Sequence, residues 1–206
     1  MVDYKFYKAG ENIIHESGFY DLYQYKVYIG NHKVETSKFN SYWYICPLKK
    51  NTVKSKTGDG QIIESDKMCV EIFGYTPETR TSTFDRLSDL PYINGCSTKQ
   101  LISPNRLGDP TWQLLYIPEH SAEQAHHVHS TARVVYVYKG KGISHVGQGS
   151  QVKDYELTPG MVVILDKMVP HHFSTSDDSL IVLPIHIYSS TASENNHPMF
   201  SGTHKV

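Results

Sequence analysis

From Thr111 onward the chain reads as short apolar runs separated by turn residues. TWQLLYI, HHVHS, RVVYVYKG, KGISHVG, VKDYELT, GMVVILD, HHFSTS and SLIVLPIHIY follow one another. Each is dense in Val, Ile or Tyr or alternates polar with apolar positions, and Gly, Pro, Asp or Ser bounds it. Closely spaced strands of this kind predict an all-β barrel or sandwich. Few windows keep a 3.6-residue period beyond two turns, so helices are not expected.

The first 95 residues carry a similar but more aromatic pattern. FYDLYQYKVYI (19–29) and SYWYICPL (41–48) have the β-branched and aromatic content of half-buried strands. Ile29-Gly30-Asn31-His32 predicts a hairpin turn between them. Thr57-Gly58-Asp59-Gly60 predicts a second turn, leading into a strand at Gln61–Glu64, and 76–90 predicts a loop with one helical turn. Three segments result: a Tyr-rich β extension (1–95), readable also as a degenerate second copy of the barrel; the barrel (96–190); and a polar, flexible tail (191–206).

Composition narrows the function classes. With 206 residues the chain is one large domain or a smaller one with an extension. Twenty Lys+Arg against 21 Asp+Glu leave a net charge of −1, without the basic patch that nucleic acid or an anionic membrane demands. Apolar runs such as Val134–Tyr138 and Met161–Leu165, none longer than these, fall far short of the roughly 20 residues that span a bilayer. The first 16 residues carry charges where a signal peptide needs an apolar stretch. Three cysteines without a CxxC pair argue against a disulfide framework or a Cys-zinc site, and fit a reduced, cytoplasmic setting. GxSxG, HExxH and GxxxxGK[ST] are all absent, which removes several hydrolase and nucleotide-binding classes.

Histidine is the exception to this even composition: ten of the twelve fall between His120 and His204. In AHHVHSTAR, His127 and His129 are two apart, so on a strand they share a face. Imidazoles about 7 Å apart along a strand can converge on one metal ion. His171-His172 follows PGMVVILDKMVP, and one of that pair supplies a third ligand if the two strands are neighbours.

HxH, a glycine-bounded turn at Gly140–Gly142, Pro159-Gly160, the run Met161–Leu165 and Pro170-His171-His172-Phe173 together resemble the two motifs of the cupin superfamily. The resemblance covers roughly 105–188 and implies a double-stranded β-helix, or jelly-roll, barrel with a mononuclear metal. Carried over by position, it implies His127, His129 and His171 as ligands, with His172 pointing away. Two departures accompany it: Ser121 stands where the first motif opens on glycine, and Arg133 stands at the position of its Glu. By strand parity Arg133 shares the inward face, and a guanidinium has no lone pair to ligate with.

Three readings follow. The site is a neutral three-His centre whose uncompensated charge favours an anionic substrate gripped by Arg133. Alternatively His145 or His186 completes the shell. In the third reading the metal is lost and the cavity only binds or isomerises an organic ligand. Imidazole donors suit Fe(II), Mn(II), Ni(II), Cu(II) or Zn(II). The resemblance to three-His dioxygenases puts Fe(II)-dependent oxygenation of a small anionic or chelating metabolite first. Isomerase, cyclase or lyase chemistry at a Lewis-acid ion, and ligand binding without catalysis, are the alternatives. A homodimer is expected from the resemblance alone.

Overall fold

The computed structural model describes residues 4–17, 23–85, 90–106, 108–188 and 203–205. The first part contains β1 (Tyr4–Tyr7), β2 (Ile13–Glu16), β3 (Tyr25–Ile29), β4 (His32–Glu35), β5 (Asn40–Ile45), β6 (Thr52–Thr57), β7 (Ile62–Ser65), β8 (Met68–Phe73), β9 (Arg80–Thr83) and β10 (Leu90–Pro91). The second contains β11 (Ser97–Ile102), β12 (Thr111–Ile117), β13 (His127–His129), β14 (Thr131–Gly140), β15 (Gly142–Val146), β16 (Lys153–Leu157), β17 (Val162–Leu165), β18 (His171–Ser174), β19 (Leu180–Tyr188) and β20 (Thr203–Lys205). Helical structure among the described residues is limited to short 3-10 turns at Ile93–Gly95 and Gly149–Gln151. No described helix is long and apolar enough to cross a membrane.

All strand pairs are antiparallel, and they assemble into stacked sheets. A seven-stranded sheet, β1-β17-β14-β19-β12-β11-β10, faces a five-stranded sheet, β16-β15-β18-β13-β20, and encloses the barrel interior. Val135, Val137, Val163, Leu165, Val182, Val146, Leu157 and Phe173 fill the closed end of that space. The opposite face of the seven-stranded sheet packs on a six-stranded sheet, β2-β3-β8-β5-β6-β9. There Trp112, Val134, Tyr136, Ile164, Leu183 and Ile185 meet Val27, Trp43, Val53, Val70 and Ile72. Trp43 and Trp112 lie 6.3 Å apart, centroid to centroid, and neither is more than 1% exposed.

Burial on both faces explains why RVVYVY, MVVIL and LIVLPI are nearly unbroken apolar runs in an antiparallel sheet. Odd-numbered β14 residues Arg133, Val135 and Val137 look into the barrel. Ala132, Val134 and Tyr136 pack on the N-terminal sheet. The chain turns from β14 into β15, across from one sheet to the other, at Gly140, whose φ is 82° and where an added Cβ would come within 1.7 Å of the Ser179 carbonyl oxygen.

The N-terminal half repeats the strand order of the barrel. The series β2-β3-β8-β5-β6-β9 runs parallel to β11-β12-β19-β14-β17-β1, and the pair β4–β7 to β13–β18. The first half lacks a counterpart of the β15–β16 hairpin, since β5 passes directly into β6. Where β13 and β18 set His127 opposite His171, β4 and β7 set Val34 opposite Ile63. Beneath them the buried Glu71 carboxylate accepts bonds from Asn40 Nδ2 (2.8 Å), Tyr42 OH (2.7 Å) and Tyr28 OH (2.8 Å). That is a satisfied structural network.

Three local expectations are corrected. Gly30, at φ 86°, does turn the chain, but β3 and β4 join different sheets instead of forming a hairpin. Within the segment 76–90, read as a loop with one helical turn, Arg80–Thr83 forms the polar edge strand β9, paired with β6, and 86–89 lie outside the described residues. Thr203–Lys205, in the expected flexible tail (191–206), adds to the free edge of β13, while 191–202 and 206 lie outside the described residues.

Candidate metal centre

Strands β13 and β18 pair at His127↔His171, and parity puts His129 on the same inward face. One ring nitrogen from each of the three histidines lies within 4.8 Å of the others, and all three side chains are buried. His127 Nε2 and His129 Nε2 are 2.8 Å apart. Two cis nitrogens each about 2.1 Å from one ion would stand roughly 3 Å apart.

Backbone carbonyls orient the rings. His127 Nδ1 is 2.8 Å from the Ala125 oxygen, and His171 Nδ1 is 2.7 Å from the Val169 oxygen. A carbonyl only accepts, so Nδ1 carries the hydrogen in both rings and the Nε2 lone pairs are left for the centre. The Gln124 side-chain nitrogen, 2.9 Å from His127 Nε2, donates to that lone pair.

Burial also fixes the charge state. It pushes His127 down to about 4, against a smaller opposing effect of the Ala125 bond and with help from Arg133. His129 and His171 lie well below the ordinary imidazole value, burial again leading. Three neutral, converging, buried imidazoles are the donor set that borderline divalent ions take, so the residues present fit a metal.

Beside this triad, and lined by its His129 and His171, is a small cavity of about 50 Å³, walled also by Tyr92, Gln113, Glu123, Arg133, Phe173 and His186. Arg133 is 5% exposed and stands across from His186 on β19 and Leu165 on β17. Its guanidinium therefore occupies the inward position expected for it. His186 is buried in the same wall, and burial followed by the charge of Arg133 keeps it well below the usual imidazole range. It lies outside the close triad.

His145 does not join the site. It points to the outer face of β15, where Nδ1 meets Asp154 Oδ1 at 2.7 Å and Nε2 meets Ser174 Oγ at 2.7 Å. Position parity decides this, because Ser144 and Val146 are the buried neighbours. His126 and His172 also face outward, whereas His120 is exposed in a turn and His197 lies outside the described residues. Cys96 offers no activated nucleophile: burial raises its thiol, which packs in the apolar core and lies near Ser121 Oγ and the Ala122 oxygen.

Glu123 also belongs to the cavity, although no motif in the sequence marks it. Its carboxyl is 7% exposed in the cavity wall. Burial pushes it up to about 7, against the lowering effects of Arg133 and the Phe173 backbone. The first motif places its acid after HxH, and this one comes four residues before. Tyr92, in the same wall, is pushed well above the ordinary phenol value, with burial leading and Glu123 adding to it.

The comparisons with known proteins agree with this geometry. The family model described as Cupin domain matches residues 113–187. No curated protein matches the chain. Among solved structures, a Cupin 2 conserved barrel domain protein from Leptotrichia buccalis superposes with a TM-score of 0.57 at 12% identity, over 88% of this chain and 91% of its own. Streptomyces albus HEPD, solved with 2-hydroxyethylphosphonate and Fe(II) bound, superposes with a TM-score of 0.59 at 6% identity, over 92% of this chain and 74% of its own. At these identities the likeness is one of fold. The β-barrel that holds the histidine triad, residues 113–187, is a cupin domain.

Proposed function

We propose that this chain is a mononuclear metal-dependent enzyme acting on a small anionic, chelating metabolite, with Fe(II)-dependent oxygenation as the leading reaction. The observation that carries the reading is that a buried arginine lines one small cavity with His129 and His171, two members of a neutral three-histidine donor set. His127, His129 and His171 would hold the ion, which when bound supplies open positions for a chelating substrate and for O2. The protein's own residues define the rest. None of the three ligands carries charge, and Arg133 adds a positive one, so the pocket favours a carboxylate, enolate or phosphonate that Arg133 can fork. A cavity of about 50 Å³ admits only a small molecule.

Glu123 supports a second reading. A buried carboxyl pushed up to about 7 is poised to give or take a proton near neutral pH. Isomerisation, cyclisation or elimination at a Lewis-acid ion uses such a group directly. The three cysteines are free, which suits a cytoplasmic enzyme.

Oxygen consumption separates the two. Protein loaded with Fe(II) is screened against small carboxylates, 2-oxo acids and phosphonates, with metal-free protein as the control. Substrate-dependent O2 uptake supports oxygenation. Turnover without O2 uptake supports the second reading, and neither with any substrate overturns the assignment as an enzyme.

A further inference from the structure

A second group of imidazoles lies on the outside of the barrel, separate from the inner triad. His126, just before β13, turns its Nδ1 toward Nδ1 of His172 on β18, at 2.9 Å. The rings are edge-to-face, with centroids 5.2 Å apart. His126 Nε2 bonds the carbonyl oxygen of Gly147. That carbonyl is fixed in place, because Gly147 N donates to the Pro170 oxygen at 2.9 Å. An added Cβ at Gly147 would meet the Gln151 oxygen at 2.6 Å. On the other side of His172, His145 stacks at 4.2 Å with an interplanar angle of 13°. Asp154 and Ser174 hold His145 at 2.7 Å each. Both facing rings are thus set from behind, one by a carbonyl and one by a stacked, anchored imidazole.

The bonding pattern defines what the gap can accept. A carbonyl takes only a hydrogen, so His126 carries its proton on Nε2 and offers the Nδ1 lone pair. His172 fills the gap with its own Nδ1–H. If that proton moves to Nε2 of the same ring, two lone pairs meet across a separation close to that of cis ligands on one ion, and a rotation of the rings that turns both lone pairs toward a common point off the Nδ1–Nδ1 line would let them hold it. Both rings are half-buried, which leaves the remaining positions of an ion to water. The Asp154 carboxylate next to His145 places negative charge beside an incoming cation.

We propose that His126 and His172 form a second, outer site for a borderline divalent cation such as Zn(II), Ni(II) or Cu(II), distinct from the inner triad. Two nitrogen donors give an open, exchangeable site, and affinity should rise toward Cu(II) in the usual order for divalent ions. The proposal does not depend on the inner centre being catalytic.

Zinc titration of the full chain, followed by equilibrium dialysis and by 15N spectra of the histidine rings, tests it. In His129→Ala protein, where the triad is broken, one equivalent should still bind and shift the Nδ1 resonances of His126 and His172. Adding His126→Asn should abolish that equivalent, and His172→Gln should do the same. With the triad intact, His126→Asn alone should lower the total from two equivalents to one. In the His129→Ala background, an equivalent that survives His126→Asn, or zinc that leaves both Nδ1 resonances unmoved, would overturn the proposal.

Discussion

Arg133 on β14 stands directly opposite His186 on β19, both buried in the wall of the cavity that the inner histidines His129 and His171 line. A guanidinium in this place does two things at once. It repels a cation held by the triad, and it draws an anion to the same cavity. Arg133→Glu should reverse both effects. Metal affinity should rise, and binding of oxalate, used as a chelating anionic probe on the metal-loaded protein, should fall at least tenfold. The fall corresponds to the roughly 1.5–3 kcal/mol of a hydrogen bond to a charged group. Competition titrations measure both, and unchanged oxalate binding would make Arg133 structural.

Glu123 gives a pH signature of the opposite sense to an ordinary carboxylate. Its value in the fold, about 7, lies above the unfolded value near 4.5. The stability that comes from keeping its proton is fully present below 4.5 and is lost as pH rises through 7. Glu123→Gln should match the wild type at pH 4 and exceed it at pH 8, by on the order of 3 kcal/mol. Urea midpoints of the metal-free protein at the two pH values measure this. A variant less stable than wild type at pH 8 would show the carboxylate ionised and held by Arg133.

His127 behaves in the other direction, its value in the fold lying at about 4, below that of a free imidazole. The neutral form persists as pH falls past 6.5 and is lost only toward 4. Metal uptake by the triad should therefore hold nearly constant between pH 7.5 and 5.5. Histidines with ordinary values near 6.5 would be mostly protonated at the lower limit. Dialysis against Zn(II) in a His126→Asn background isolates the inner site for this measurement.

The N-terminal half should not be separable from the barrel. Trp43 and Trp112 meet between the two sheets, and the barrel sheet presents Val134, Ile164, Leu183 and Ile185 to the same layer. Trp112→Ala should destabilise the whole chain by about 3–5 kcal/mol in a single transition. A chain beginning at residue 96 should expose that apolar face and aggregate. Denaturant unfolding and light scattering check the two outcomes.

Much of this arrangement is legible in the sequence because it depends on local pattern. The eight barrel strands from Thr111 to Tyr188 stand out as apolar runs, and HVH with PHH places the inner histidines through strand parity. Partner choice is less legible. Gly30 specifies a turn whether or not β3 and β4 pair, and it takes the tertiary packing of β4 on β7 to send them to different sheets. The strand β9 escapes notice because RTST, an edge strand, has no apolar alternation. Glu123 escapes notice for a related reason. Its burial comes from a loop tied to β18 through its backbone N–H and the Phe173 oxygen, a contact 50 residues away in the chain.

The most direct test of the central claim is elemental analysis of the purified protein, alongside His171→Ala, after reconstitution with Fe(II) and with Zn(II). The His126→Asn background keeps the outer face from contributing. About one ion per chain should bind, and it should be lost in His171→Ala while the β-sheet circular dichroism persists. Protein that takes up no ion, or holds one equally well without His171, would contradict that claim.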